Sequence, residues 1–102
     1  MKNRQISVSA EDVEMLKVLA NPIRLQIVVI LMQYNTLNVT DLVLTLQTSE
    51  PSVSISQAAA SQNLAKMRGG ILGYDKIGAE VYYYISNPKA PKIVEVLLTT
   101  IK

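Results

Sequence analysis

The reading turns on one stretch, Ile55-Ser56-Gln57-Ala58-Ala59-Ala60-Ser61-Gln62-Asn63-Leu64-Ala65-Lys66-Met67-Arg68, closed by Gly69-Gly70. It is rich in alanine and free of proline and glycine until its end, so it favours helix and the glycine pair stops it. Ala60, Leu64, Met67 and Ile71 recur at helical spacing and line one apolar stripe. The other side holds Ala58, Ser61, Gln62 and Lys66, which are small, polar or basic, and no carboxylate. A rod that buries one side and offers short hydrogen-bonding groups on the other is suited to enter a DNA major groove. An ordinary amphipathic surface helix carries the same pattern, so the flanking sequence has to decide.

Upstream, Thr40-Asp41 predicts the cap of a short helix running to about Gln47, with Leu42, Val43, Leu44 and Leu46 as its apolar positions. Thr48-Ser49-Glu50-Pro51-Ser52-Val53-Ser54 follows, rich in turn formers and without helical pattern. Short helix, connection and a helix with a polar outer side make a helix-turn-helix, here with an unusually long connection. Downstream, Ile71-Leu72-Gly73-Tyr74-Asp75-Lys76-Ile77 and Glu80-Val81-Tyr82-Tyr83-Tyr84-Ile85 flank Gly78-Ala79, which reads as a β-hairpin. Val81, Tyr83 and Ile85 alternate with Glu80, Tyr82 and Tyr84, so one side of the second strand is apolar. Four of the chain's five tyrosines lie in this hairpin. They can stack on bases, but pinning the edge of a small core suits their amphipathic rings better.

In the N-terminal third, Ser9-Ala10-Glu11-Asp12 places a capping hydroxyl ahead of two carboxylates, which a helix start favours. Val13, Leu16, Leu19 and Ala20 are the expected buried side of this helix, with Glu14 and Lys17 outside. Asn21-Pro22 ends it and opens the next, since proline suits a first helical position and asparagine can cap. The second helix, from Pro22 to about Tyr34, is apolar nearly all round and should be central to the core. Its only charge, Arg24, is expected to fix the adjacent turn through an ion pair or a carbonyl rather than to meet DNA. Leu37-Asn38-Val39 is a minor strand. Asn87-Pro88 and Ala90-Pro91 both suit a helix start. Ile93, Val94, Val96, Leu97, Leu98 and Ile101 then give the last helix more apolar surface than a chain end needs. With the first helix it makes an apolar flank that either becomes a symmetric dimer interface or folds back over its own core. Val13, Leu16, Ile93, Val94, Leu97 and Ile101 are the interface candidates.

The 102 residues suit one domain, mainly α with a small β-hairpin. Residues 1–8, with Lys2 and Arg4, are expected to form a flexible arm, and residues 87–102 a C-terminal dimerisation helix. The chain has no cysteine and no histidine. That removes disulfides, thiol redox chemistry, the usual transition-metal ligands and the commonest general base. No metal or other cofactor is expected, and no enzyme activity, because nothing assembles a nucleophile with a base. Net charge +2 and a pI near 9.0 are compatible with nucleic acid. The opening Met1-Lys2-Asn3-Arg4-Gln5 does not lead into a secretory signal, and the longest apolar run, Ile27-Val28-Val29-Ile30-Leu31-Met32, is far short of the ~20 residues that span a bilayer. No membrane partner and a cytoplasmic location are expected.

Helix, helix, short strand, helix, helix, hairpin, helix is the winged helix-turn-helix order. From about residue 13 to residue 86 the chain resembles the arsenical-resistance-repressor-like (ArsR-like) family of small transcriptional repressors. Leu16-Lys17-Val18-Leu19-Ala20-Asn21-Pro22-Ile23-Arg24-Leu25-Gln26-Ile27 looks like that family's opening signature. Val39-Thr40-Asp41-Leu42 is similar to the start of its third helix. Gln57-Ala58-Ala59-Ala60-Ser61-Gln62-Asn63-Leu64 resembles its recognition-helix core, with Asn63 where the family has histidine. Gly78 and Val81-Tyr82-Tyr83-Tyr84-Ile85 are similar to its wing, with Ala79-Glu80 where a basic residue is common and Lys76 as the nearby cation. The family's metal sites use cysteines on the third helix or His/Asp/Glu sets on the last. Leu37, Asn38, Val39, Asp41 and Glu95 supply neither, so metal sensing is not expected.

The resemblance implies a symmetric homodimer that binds sequence-specifically to double-stranded DNA, with two recognition helices in successive major grooves, and represses transcription. Gln57, Ala58, Ser61 and Gln62 are the base-contact candidates, with Gln62 able to pair with adenine and Ala58 and Ala59 able to meet thymine methyls. Thr40, Ser54, Ser56, Lys66, Arg68 and Lys76 are the phosphate candidates; each can equally be a helix cap or a solvated group. Few cations imply a shallow salt dependence. Two other classes stay open: a DNA-binding adaptor for plasmid or chromosome partition, and a winged-helix protein-interaction module. The effector, if one exists, is not legible in the sequence.

Overall fold

In the computed structural model, which describes residues 7–49 and 52–98, local side-chain chemistry sets the helix starts. Ser9 Oγ accepts from the Asp12 N–H at 3.0 Å and opens α1 (Ala10–Leu19). Asn21 Oδ1 accepts from both Ile23 and Arg24 N–H and opens α2 (Pro22–Tyr34), with proline at its first position. The two helices are bent by 98° at this break. Asn35 ends α2 at φ +66 and ψ −52, a tight γ-turn closed by Thr36 N–H donating to Tyr34 O at 2.7 Å. The strand β1 (Leu37–Asn38) follows, and then α3 (Val39–Thr48). Its cap is Asn38, whose Oδ1 accepts from Asp41 N–H at 2.8 Å; the expected Thr40-Asp41 cap sits inside the helix instead. Asn38 wins because it holds the extended backbone geometry a cap requires.

The connection between α3 and α4 is anchored where Val53 N–H donates to Leu46 O at 2.8 Å. Val53 and the half-buried Ile55 pack on the core, so α4 (Gln57–Met67) begins two residues later than the alanine-rich stretch suggests, with Ser56 as its cap. The hairpin β2 (Leu72–Ile77) and β3 (Glu80–Ile85) turns through Gly78-Ala79 with Gly78 at φ +64, a backbone that glycine adopts without strain. Strand order is β1-β3-β2, all antiparallel, with Leu37 opposite Tyr83 and Lys76 opposite Val81. Gly73 faces Tyr84, and the tyrosine ring lies where a Cβ at position 73 would sit, 2.6 Å from its Cζ. The Ile71 carbonyl accepts from Ser86 N–H, Asn87 N–H and Ser86 Oγ, which ties the two ends of the hairpin together. Asn87 Oδ1 accepts from Lys89 N–H at the start of α5 (Lys89–Leu98), so of the two candidate starts Asn87-Pro88 is the one used.

One core joins all these elements. Ile27, Val28, Ile30 and Leu31 of α2 lie at its centre, against Leu42 and Leu46 of α3, Leu64 and Met67 of α4, Tyr83 of β3 and Val94 of α5. In α1 the buried pair is Met15 and Leu19, one turn apart; Val13 and Leu16, expected inside, are 39% and 53% exposed, and Ala20 is exposed too. The helix leans on the core along the Met15–Leu19 line, which turns the other apolar positions outward. In α3, Leu42 and Leu46 are buried, Val43 is half-buried and Leu44 is exposed. Among the described residues no buried side-chain nitrogen or oxygen lacks a hydrogen-bond partner, and no single helix is long and apolar enough to cross a membrane.

Candidate nucleic-acid interface

The helix α4 divides as its sequence predicts. Ala60, Leu64 and Met67 are buried, while Gln57, Ala58, Ser61, Gln62 and Lys66 are exposed and Ala59 is half-buried. Ser56 Oγ accepts from Ala59 N–H at 3.1 Å, which uses one of its two lone pairs and leaves its hydroxyl hydrogen free to donate. Two further bonds hold α4 in place. Gln57 Nε2 donates to Thr40 Oγ1 at 2.7 Å, joining the first residue of α4 to the first turn of α3. Arg24 donates from Nε to Val18 O at 2.6 Å and from a terminal nitrogen to Asn63 Oδ1 at 2.9 Å. Asn63 Nδ2 in turn donates to Ala59 O at 3.0 Å. Asn63 is therefore half-buried and spent on holding the helix, and Arg24 makes the expected carbonyl contact plus a second one that sequence reasoning missed. No spacing in the chain foretells a contact between residues 24 and 63; only the core packing of α2 on α4 creates it.

Several of the candidate DNA-contact residues gather at two places. Thr40, Gln57 and Ser61 line one groove with Asn38, Ala79 and Glu80 of the wing root and tip. Ser54, also exposed, lies in the segment just before α4. Lys66 and Arg68 sit at the other end, about 14 Å along the helix from Gln57 at the standard rise per residue. There they line a cleft with Glu11 and Glu14 of α1. The Arg68 guanidinium also stacks over the Tyr74 ring at 5.1 Å, and Tyr74 packs on Tyr83 with centroids 6.1 Å apart. Lys66 and Arg68 thus cluster at the C-terminal end of α4, with the candidate Gln62 one turn before Lys66 and Gln57 at the far end.

On the wing, Lys76 is exposed and its tip residue Ile77 is 62% exposed. Glu80 is not a loose carboxylate. Its Oε1 accepts from the buried Asn38 Nδ2 at 3.0 Å and its Oε2 from the Tyr82 hydroxyl at 3.4 Å. Asn38 thereby caps α3 with one end of its amide and holds the wing with the other.

The helices α1 and α5 adjoin one another. Lys89 Nζ meets Asp12 Oδ1 at 3.0 Å, and a shallow apolar depression is lined by Met15, Leu16 and Ile93 with Asp12, Lys89 and Lys92 at its edge. The Lys89 ammonium and the Ser9 hydroxyl hold the Asp12 carboxyl below its ordinary value. Val13, Leu16 and Leu97 are exposed on these helices and Ile93 is half-buried. Val94 differs from the other interface candidates: it is 1% exposed and belongs to the chain's own core, where the amphipathic turn of α5 meets α2. Ile101 and residues 1–6 of the arm lie outside the described residues. Among the described residues no group of three or more His, Cys, Asp or Glu side chains is placed to hold a metal ion.

The chain is 40% identical over 87 residues to the transcriptional repressor PagR of Bacillus anthracis, an alignment that spans 85% of this chain and 81% of PagR. It belongs to the ArsR-like family of winged helix-turn-helix repressors. The crystal structure of PagR superposes with a TM-score of 0.74, covering 85% of this chain and 92% of that one. HlyU from Vibrio cholerae follows at 34% identity and TM-score 0.72, over 86% of this chain and 88% of HlyU. The antimony-specific transcriptional repressor AntR is 28% identical with a TM-score of 0.77, over 96% of this chain and 86% of AntR. No family model matches the chain. The two positions at which the resemblance leads to the expectation of a histidine and of a basic wing residue are occupied here by Asn63, bound to Arg24, and by Ala79-Glu80, with Glu80 bound to Asn38.

Proposed function

We propose that this ArsR-like protein represses transcription as a homodimer that presents its two α4 helices to successive major grooves of one operator. The observation that carries this reading is the outward side of α4. Gln57, Ala58, Ser61 and Gln62 are exposed, short and uncharged, on a helix whose opposite side is sealed in the core. Such a surface meets base edges without steric conflict. Thr40, Ser54 and Ser56 flank it and are suited to phosphate oxygens, and Lys66, Arg68 and Lys76 supply the few cations. Exposed Val13, Leu16 and Leu97 with half-buried Ile93 give the α1–α5 flank the apolar character of a pairing surface. A two-fold pair spaces its recognition helices by about 34–36 Å, one turn of B-DNA. A dimer seated on a promoter excludes polymerase, and no cofactor or metal is called for.

The test is a genomic DNA selection with the purified protein, followed by footprinting and sedimentation on the enriched site. A two-fold symmetric site of one or two helical turns, bound by a dimer with a log–log salt slope well below that of a ~10-phosphate binder, is the expected result. Binding spread over arrayed repeats would assign a partition or organising role instead. Failure to enrich any sequence at low salt would assign a protein-interaction module.

A further inference from the structure

The Thr40–Gln57 bond does more than join two helices. A glutamine amide carries two N–H hydrogens and one carbonyl oxygen, and a free one turns about its last torsion to suit whichever base it meets. Here Nε2 spends one hydrogen on Thr40 Oγ1 at 2.7 Å. One N–H and Oε1 are left. Gln57 is the first residue of α4, the end of a recognition helix that reaches base edges. Both side chains line the groove next to Ser61, on the exposed side.

We infer that Thr40 is a positioning residue for base reading: it fixes the Gln57 amide with one donor and one acceptor outward, and so commits that position to adenine over guanine. Adenine presents an N7 acceptor beside an N6 donor in the major groove, the complement of what the held amide offers. Guanine presents two acceptors, N7 and O6, and would face Oε1 with a lone pair. Because Thr40 Oγ1 accepts from Gln57, its own hydroxyl hydrogen stays available for a phosphate oxygen, and donating it polarises the hydroxyl oxygen toward Gln57. One threonine thus couples register on the backbone to readout of a base. The inference rests on α4 being the DNA-reading helix, as proposed above.

The experiment uses the full chain and the site enriched by selection. Affinities of wild type, Gln57→Ala, Thr40→Val and Thr40→Ser are measured on that duplex, on single base-pair substitutions across it and on an unrelated duplex, with thermal melts of each variant. Gln57→Ala locates the position by flattening its preference. There the wild type should favour adenine over guanine by about tenfold or more, and replacing that adenine by 7-deazaadenine should erase most of the preference. Thr40→Val should bring the ratio to within about threefold, while salt slope and melting temperature hold and Thr40→Ser keeps the wild-type ratio. A guanine preference at that position overturns the inference, because it requires the amide turned over with Thr40 donating to Oε1. So does a Thr40→Val variant that keeps the full ratio, or one that weakens all duplexes equally. A wild-type protein that enriches no sequence removes the underlying reading of α4, a different failure from an enriched site indifferent to Thr40.

Discussion

The helix α4 and the wing reach toward the same groove but are secured in opposite ways. Several contacts hold α4: Leu64 and Met67 in the core, Arg24 through Asn63, Thr40 through Gln57, and Ser56 at its cap. The wing is held at its base by Tyr74 on Tyr83, by Tyr84 over Gly73 and by Asn38 on Glu80, and its tip projects with Ile77 exposed. Fixed donors and acceptors suit base reading, where misplacement is costly. A projecting tip with a bound carboxylate and one nearby cation contributes little to phosphate attraction. On the function proposed above, this contrast assigns specificity to α4 and a minor share of affinity to the wing.

The strongest way to break this comparison is Ser61→Glu. A carboxylate set among base edges and phosphates should lower DNA affinity by at least about 100-fold, since like-charge juxtaposition costs several kcal/mol. The melting temperature should hardly move, because the position is exposed. Equal loss from a charge placed at Ile77 would erase the distinction between the two regions.

Arg24→Met comes next. It keeps the apolar stem but strips the donors from Val18 O and Asn63 Oδ1, so chemical denaturation should register a loss of about 1–3 kcal/mol. DNA affinity should fall as well, as α4 loses one of its holds. A variant as stable as wild type would mean the packing of α4 alone sets its position.

Ala79→Lys sharpens the wing side. A cation beside Gly78 should improve affinity a few-fold at low salt and steepen the log–log salt slope by about one, the signature of one added phosphate contact. An unchanged slope would show that the tip never nears the backbone.

The smallest effect lies in neither region and serves as their baseline. The folded-state value of Asp12 is depressed by Lys89 and Ser9, so its contribution to stability is present above the unfolded carboxylate value and lost as pH falls through the folded one. Melts of wild type and Asp12→Asn should therefore converge below about pH 4 and separate slightly above it. A gap that persists into acid would point to packing rather than charge.

Much of this was legible in the sequence because short-range chemistry writes it. Ser9, Asn21 and Pro22 mark helix ends, the period of Ala60, Leu64 and Met67 fixes the buried side of α4, and Gly78 sets the hairpin turn. What escaped is what depends on how elements lean on one another. In α1 the choice between Met15 and Leu16 as the inward residue is a rotation of the helix about its axis, and a stripe with apolar residues on several sides does not specify it. Val94 carries the same ambiguity in α5. Asn38 read as a strand residue, yet its amide serves a helix cap and the wing at once. The site was half readable: the exposed residues of α4 were, but the bonds from Thr40 and Arg24 span 17 and 39 positions and arise from tertiary packing alone.

The knot at Ile71, where one carbonyl takes three donors from Ser86 and Asn87, has a consequence for how such a protein changes over time. The chain leaves α4, runs out along one strand, returns along the other and enters α5 at the point it left. Whatever happens between those ends is therefore a detour of zero net displacement. Residues can be added at the wing tip or recharged there without altering the offset between α4 and α5. For the dimer proposed above, half-site spacing and wing chemistry would thereby be tuned on separate dials.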